Sequence, residues 1–111
     1  MKIKLYQINL DRDTDRVAFD SLTYVQSHGG IKRSLYDLTF DGEITGDGIE
    51  RTFEVFNAEI PDGYTGRSMS VSDVVEVIES DEVEPGFYYC DTIGFGKIEF
   101  LNENEISTGR I

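Results

Sequence analysis

The stretch GRSMSVSDVVEV, Gly66 to Val77, decides how this chain is read. Ser68, Ser70 and Ser72 fall on alternate positions, lead into Asp73 and then give way to valines. Alternate residues of an extended chain share one face, so the three serines point one way while Met69, Val71 and Asp73 point the other. After Asp73 the apolar positions Val74, Val75, Val77 and Ile78 fall out of step with that alternation. A bend or bulge is therefore expected at Ser72-Asp73, with Asp73 accepting hydrogen bonds from nearby backbone N–H groups. The competing reading is a nucleophilic serine, which needs a base. His28 is the sole histidine and stands beside Gly29 and Gly30 at an expected helix end. None of the three serines lies in a Gly-x-Ser-x-Gly elbow, and none has a lysine three residues on. The strand reading is preferred, with extended chain from Ser68 to Glu79.

Working outward, KIKLYQINL (Lys2 to Leu10) alternates lysines with Ile3 and Leu5 and predicts the first strand. In residues 11–30, Asp13 or Thr14 can cap a helix over about 15 to 27 whose apolar face is Val17, Ala18, Leu22 and Val25, with Gly29 as its left-handed stop. SLYDLTFDGEI supplies a short strand through Tyr36, Leu38 and Phe40, with Asp41-Gly42 as the turn after it. From Asp47, the spacing of Ile49, Phe53 and Phe56 predicts a second helix over about 48 to 57, with Asp47 and Glu50 in a capping-box arrangement. Pro61-Asp62-Gly63 and Glu84-Pro85-Gly86 mark turns. FYYCD then pairs as a hairpin with Val74 to Glu79, and GKIEFL forms a last strand. The order β-α-β-α-β-β-β implies one small α+β domain over residues 1–101, its sheet antiparallel or mixed, with residues 102–111 a frayed tail.

Composition narrows the function classes. The 111 residues carry 10 Lys+Arg against 22 Asp+Glu, a net charge of −12, where a magnitude of about 2 to 8 is usual for a small domain. Residues 1–36 hold six basic and four acidic residues and residues 37–111 hold four and eighteen, so the acidity belongs to the last two thirds. Such a charge disfavours direct binding to DNA, RNA or anionic lipid. No apolar run approaches the roughly 20 residues that span a bilayer, and the start resembles no cleavable signal, so a cytoplasmic location is expected. One cysteine, Cys90, precludes an internal disulfide.

The remaining chemical motifs fail on spacing. DRDTD places carboxylates at the first, third and fifth positions of a calcium loop, but Arg16 stands where glycine is needed and Leu22 where glutamate is needed. A zinc site has only His28 and Cys90 to draw on. No glycine-rich segment matches a phosphate cradle. No metal or cofactor is therefore expected, although a carboxylate pair brought together by the fold is invisible at this level.

Three segments taken in order, SLYDLTFDGEI, FEVFNAEIPDGYTGRSMSVSDVVEV and FYYCDTIGFGKIEF, resemble the YodL-like domain found in proteins of bacterial conjugative elements and phages. The likeness spans about Ile3 to Phe100. It implies a mobile-element origin and a bacterial host cell, and carries over no catalytic residues. Small acidic proteins of such elements often disarm host defences. The resemblance therefore implies an anti-CRISPR protein that binds Cas9, whose nucleic-acid channel is strongly basic, and interferes with guide RNA loading or target DNA binding. The residues expected to touch this partner are Glu76, Glu79, Asp81, Glu82 and Glu84, from the run DVVEVIESDEVE, which has no positive charge. Two other classes stand beside it: a non-catalytic interaction module in conjugative-element or phage machinery, and a carboxylate- and metal-dependent nuclease.

Overall fold

Strand β1 (Lys2–Ile8) sends Ile3 and Leu5 to one face and Tyr6 and Ile8 to the other, and all four are buried. A strand apolar on both faces needs cover on both, which places it inside a sheet between two layers. In the computed structural model, which describes residues 1–100, β1 lies between β2 (Tyr36–Glu43) and β3 (Val74–Glu79). Strands β4 (Gly86–Cys90) and β5 (Phe95–Ile98) complete an antiparallel sheet of order β2-β1-β3-β4-β5. With helices α1 (Leu22–Ser27) and α2 (Ile49–Ala58), this is the α+β arrangement and element order that the sequence implies. The expected tail over 102–111 lies outside the described residues.

Each face of the sheet has its own core. On one side Ile3, Leu5, Val75, Val77 and Cys90 pack with Val55 and Phe56 of α2 and with Met69. On the other, Tyr6, Ile8, Val74 and Tyr89 pack with Val17, Val25 of α1 and Phe100. Each fully buried aliphatic or aromatic side chain contributes about 1.5–3 kcal/mol. Phe56 is wholly buried and meets the rings of Phe40 and Tyr64 at 5.0 and 5.1 Å.

Four local expectations are corrected. The first helix does not run from 15 to 27: Arg16 and Phe19 adopt φ of 55° and 70°, which a right-handed helix does not contain. The Asp13 carboxylate instead accepts the N–H groups of Val17 and Ala18 within a loop, and Ser21 caps α1 through the Tyr24 N–H. Gly29, at φ 101°, follows the helix as read. Asp41-Gly42 is not a turn but lies within β2, paired with Lys4 and Ile3. Asp47 makes no capping box, because Gly48 is the N-cap of α2 and makes no side-chain cap bond.

The fourth departure falls within GRSMSVSDVVEV itself, where extended chain does not begin at Ser68. Ser70 to Asp73 form a tight turn, closed by Asp73 N–H donating to the Ser70 carbonyl at 3.1 Å. Ser72, at φ 86°, occupies its third position, a place normally taken by glycine or asparagine. Ser72 N–H then donates to the Cys90 carbonyl and Cys90 N–H to the Asp73 carbonyl, both at 2.8 Å. Two residues thus oppose one, which is the bulge expected at Ser72-Asp73.

Candidate partner-binding surface

The acidic run that is continuous in sequence is divided by the fold. Glu76 sits mid-strand on the Tyr6 side of the sheet, half-buried, and accepts the Tyr6 hydroxyl at 3.2 Å. Glu79 ends β3, and Asp81, Glu82 and Glu84 follow on the β3–β4 turn, all four exposed. Glu84 meets Lys97 of β5 at 3.0 Å, and this partner holds its carboxyl below the usual range. The structure therefore brings Glu79, Asp81, Glu82 and Glu84 around one turn and leaves Glu76 within the sheet.

That turn is latched. The Ser80 hydroxyl oxygen accepts the N–H groups of Glu82 at 3.1 Å and Val83 at 2.9 Å, and its proton goes to Asp47 Oδ1. Asp47 Oδ2 accepts the Asp81 N–H at 3.0 Å. These bonds and the adjacent Gly48 N–H lower the Asp47 carboxyl to about 2, with the Ser80 hydroxyl the largest cause. Asp47 immediately precedes Gly48, the N-cap of α2, so the turn is fixed to the start of that helix. Sequence reasoning assigns Asp47 to the helix because its true partners, Ser80 and Asp81, are remote along the chain.

The motif GRSMSVSD builds a buried polar junction instead of an active site. Gln7, nearly fully buried, donates its amide to the Arg67 carbonyl and to Asp73 Oδ2, both at 3.0 Å. Its oxygen accepts the Tyr64 hydroxyl at 3.1 Å and the Arg67 N–H at 3.2 Å. Asp73 Oδ2 also accepts the Ser70 N–H at 3.0 Å, the backbone bond expected of it. Its Oδ1 has no hydrogen-bond partner among the described residues. Burial raises the Asp73 carboxyl to about 6, against the opposing pull of Gln7, the Ser70 N–H and Arg67.

Two of the three serines are committed to backbone groups. The Ser72 hydroxyl accepts the Phe19 N–H at 2.9 Å and the Ser70 hydroxyl donates to the Ser68 carbonyl at 3.2 Å. His28 stacks on Tyr24 with ring centroids 3.9 Å apart, its Nδ1 2.8 Å from the Tyr24 carbonyl. Burial pushes the Cys90 thiol up to about 12. Among the described residues no three His, Cys, Asp or Glu side chains converge to hold a metal ion, and no helix is long and apolar enough to cross a membrane.

Compared with known proteins, residues 2–100 match the YodL-like domain. No curated protein and no solved structure gives a significant match. With all but the first residue and the last eleven matched, the chain belongs to the family of YodL-like domains.

Proposed function

We propose that this domain is an acidic inhibitor of host defence encoded by a mobile element, and that it acts in the bacterial cytoplasm by binding Cas9. Its negative surface competes with guide RNA or target DNA for a basic channel, and it performs no chemistry of its own. The observation that carries this reading is the latched turn. Glu79, Asp81, Glu82 and Glu84 are exposed on a turn whose backbone is already fixed by Ser80 and Asp47, in a chain of net charge −12. A surface ordered before binding loses little conformational freedom on docking, and its charge accelerates encounter with a basic partner.

The test is a cleavage assay in which the protein meets Cas9 before or after guide RNA, with RNA binding measured in parallel. Inhibition is expected, stronger at low salt because the attraction is screened. Changing Glu79, Asp81, Glu82 and Glu84 to lysine should weaken it and reduce its salt dependence. Unchanged potency in that variant would move the contact elsewhere. Absence of inhibition in either order, across several Cas9 orthologues at moderate salt, would sink the Cas9 reading. Capture of an element-encoded protein instead would favour the interaction-module alternative.

A further inference from the structure

Besides the acidic turn, a groove of about 370 Å³ runs between α2 and the β4–β5 turn. Phe53, Phe95 and the Cys90 side chain make its apolar walls, and Glu50, Glu54 and Asp91 are the charged residues lining it. No lysine or arginine lines it. Arg51 approaches Glu54 only at 4.0 Å, its guanidinium being engaged by Glu59. Phe53 is 44% exposed, and Ile93, between the lining residues Thr92 and Gly94, is 93% exposed. A single exposed apolar residue means little, but Phe53 within an apolar groove, with Ile93 on the turn that borders it, marks an interaction surface.

The Ile93 turn is held in place. Asp91 N–H donates to the Gly94 carbonyl at 3.0 Å, and Asp91 Oδ1 accepts the N–H groups of Thr92 at 2.8 Å and Leu22 at 3.1 Å. Ile93 is thus presented on a turn tied both to itself and to α1.

We propose that this groove docks a positively charged segment of a partner protein that presents aliphatic side chains between lysines or arginines. The inference rests on the reading that the partner is a basic protein, and it adds a second contact beside the acidic turn. Charge complementarity selects the occupant: an apolar floor takes the aliphatic groups while Glu50, Glu54 and Asp91 meet the flanking cations. A second copy of this chain brings another −12 and is repelled, as is a nucleic acid. The volume suits the task, since about 150 Å³ accommodates a benzene-sized group.

Two measurements on the full chain test this. In the first, the ¹⁵N-labelled protein is titrated with two short peptides of equal charge, one with leucine and one with serine between its lysines. The leucine peptide should move the amide signals of Phe53, Thr92, Ile93, Gly94 and Phe95 and bind about tenfold more tightly, as expected for burying one large aliphatic side chain. Ile93→Ser, at a position too exposed to matter for folding, should reduce that preference, and Phe53→Ser should remove most of it. Equal affinities, or shifts confined to Glu79 to Glu84, would overturn the proposal.

The second measurement is Cas9 affinity for Ile93→Ser and for the Glu50→Lys, Glu54→Lys double variant. A loss of tenfold or more supports the groove as a contact in addition to the acidic turn. Unchanged Cas9 affinity in both variants overturns it and leaves the Cas9 reading intact. Peptide selectivity without any Cas9 binding sinks Cas9 as partner and leaves the groove standing.

Discussion

Replacing Asp73 by asparagine should remove a pH dependence that the wild-type fold carries between about pH 4 and pH 7. The carboxyl is fully buried, and burial raises it from an ordinary 3.8 to about 6. At about 1.4 kcal/mol per tenfold, that difference amounts to roughly 3 kcal/mol. The folded chain holds the Asp73 proton more tightly than the unfolded chain does. The favourable contribution is therefore complete below about pH 3.8 and is lost as pH rises through about 6. The asparagine side chain never ionises, so the stability of wild type relative to the variant should fall by about 3 kcal/mol between pH 3 and 7, most of it above pH 4. The carboxylates of Asp37, Asp47, Glu59 and Glu84 are depressed and act in the opposite sense. They are common to both proteins and cancel in the difference. Urea unfolding of the pair across this range supplies the measurement, and a carboxyl ¹³C titration of Asp73 should show a midpoint near 6. A flat difference curve, or one rising with pH, would refute the argument that burial governs this group.

Asp47→Ala should release the β3–β4 turn, seen as faster amide exchange at Asp81, Glu82 and Val83; unchanged exchange would show that Ser80 holds the turn alone. In the wild type the same protection should persist at ordinary pH and fade only as pH falls toward 2, where the Asp47 carboxyl is protonated. Ser72→Gly should be more stable than Ser72→Ala by about 1 kcal/mol in urea unfolding, because both lose the bond from the Phe19 N–H while only glycine relieves the φ of 86°. Equal stabilities would show that this turn relaxes without strain. Gly66→Ala would bring a methyl against Tyr64 Oη and to 2.7 Å from Gln7 Oε1. It should break the Tyr64–Gln7 bond, lower the melting temperature and shift the Gln7 side-chain amide signals; a wild-type spectrum would contradict that geometry.

Local periodicity carries much of the architecture. The alternation in Lys2 to Ile8, the spacing of Ile49, Phe53 and Phe56, and the Val74–Cys90 hairpin are all legible, because each depends on neighbours close in sequence or on a turn of known chemistry. The first helix is misread because Arg16 and Phe19 take positive φ without being glycine, a choice made by tertiary contacts. Asp47 is misassigned for the same reason: a carboxylate next to a helix start reads as a cap unless its distant partner is known. The acidic run is legible as a run, but the fold sets Glu76 apart from the turn residues. The groove is hidden, since Phe53 and Phe95 meet only once α2 lies over the sheet. One signal is present: an isoleucine between Thr92 and Gly94, inside a turn, has no core to enter.

The central position of β1 bears on how the chain is made. Ile3 pairs with Gly42 on one side and with Val77 on the other, so the strand synthesised first is the one that must wait longest for its second neighbour. Until Val74 to Glu79 leave the ribosome, β1 can pair only with β2, and the edge that β3 will cover stays open. Such an edge invites pairing with other nascent chains, and closing it late is slow because the contact is remote in sequence. Recovery of soluble protein should thus depend on synthesis rate and chaperone supply more than the finished fold's stability would suggest.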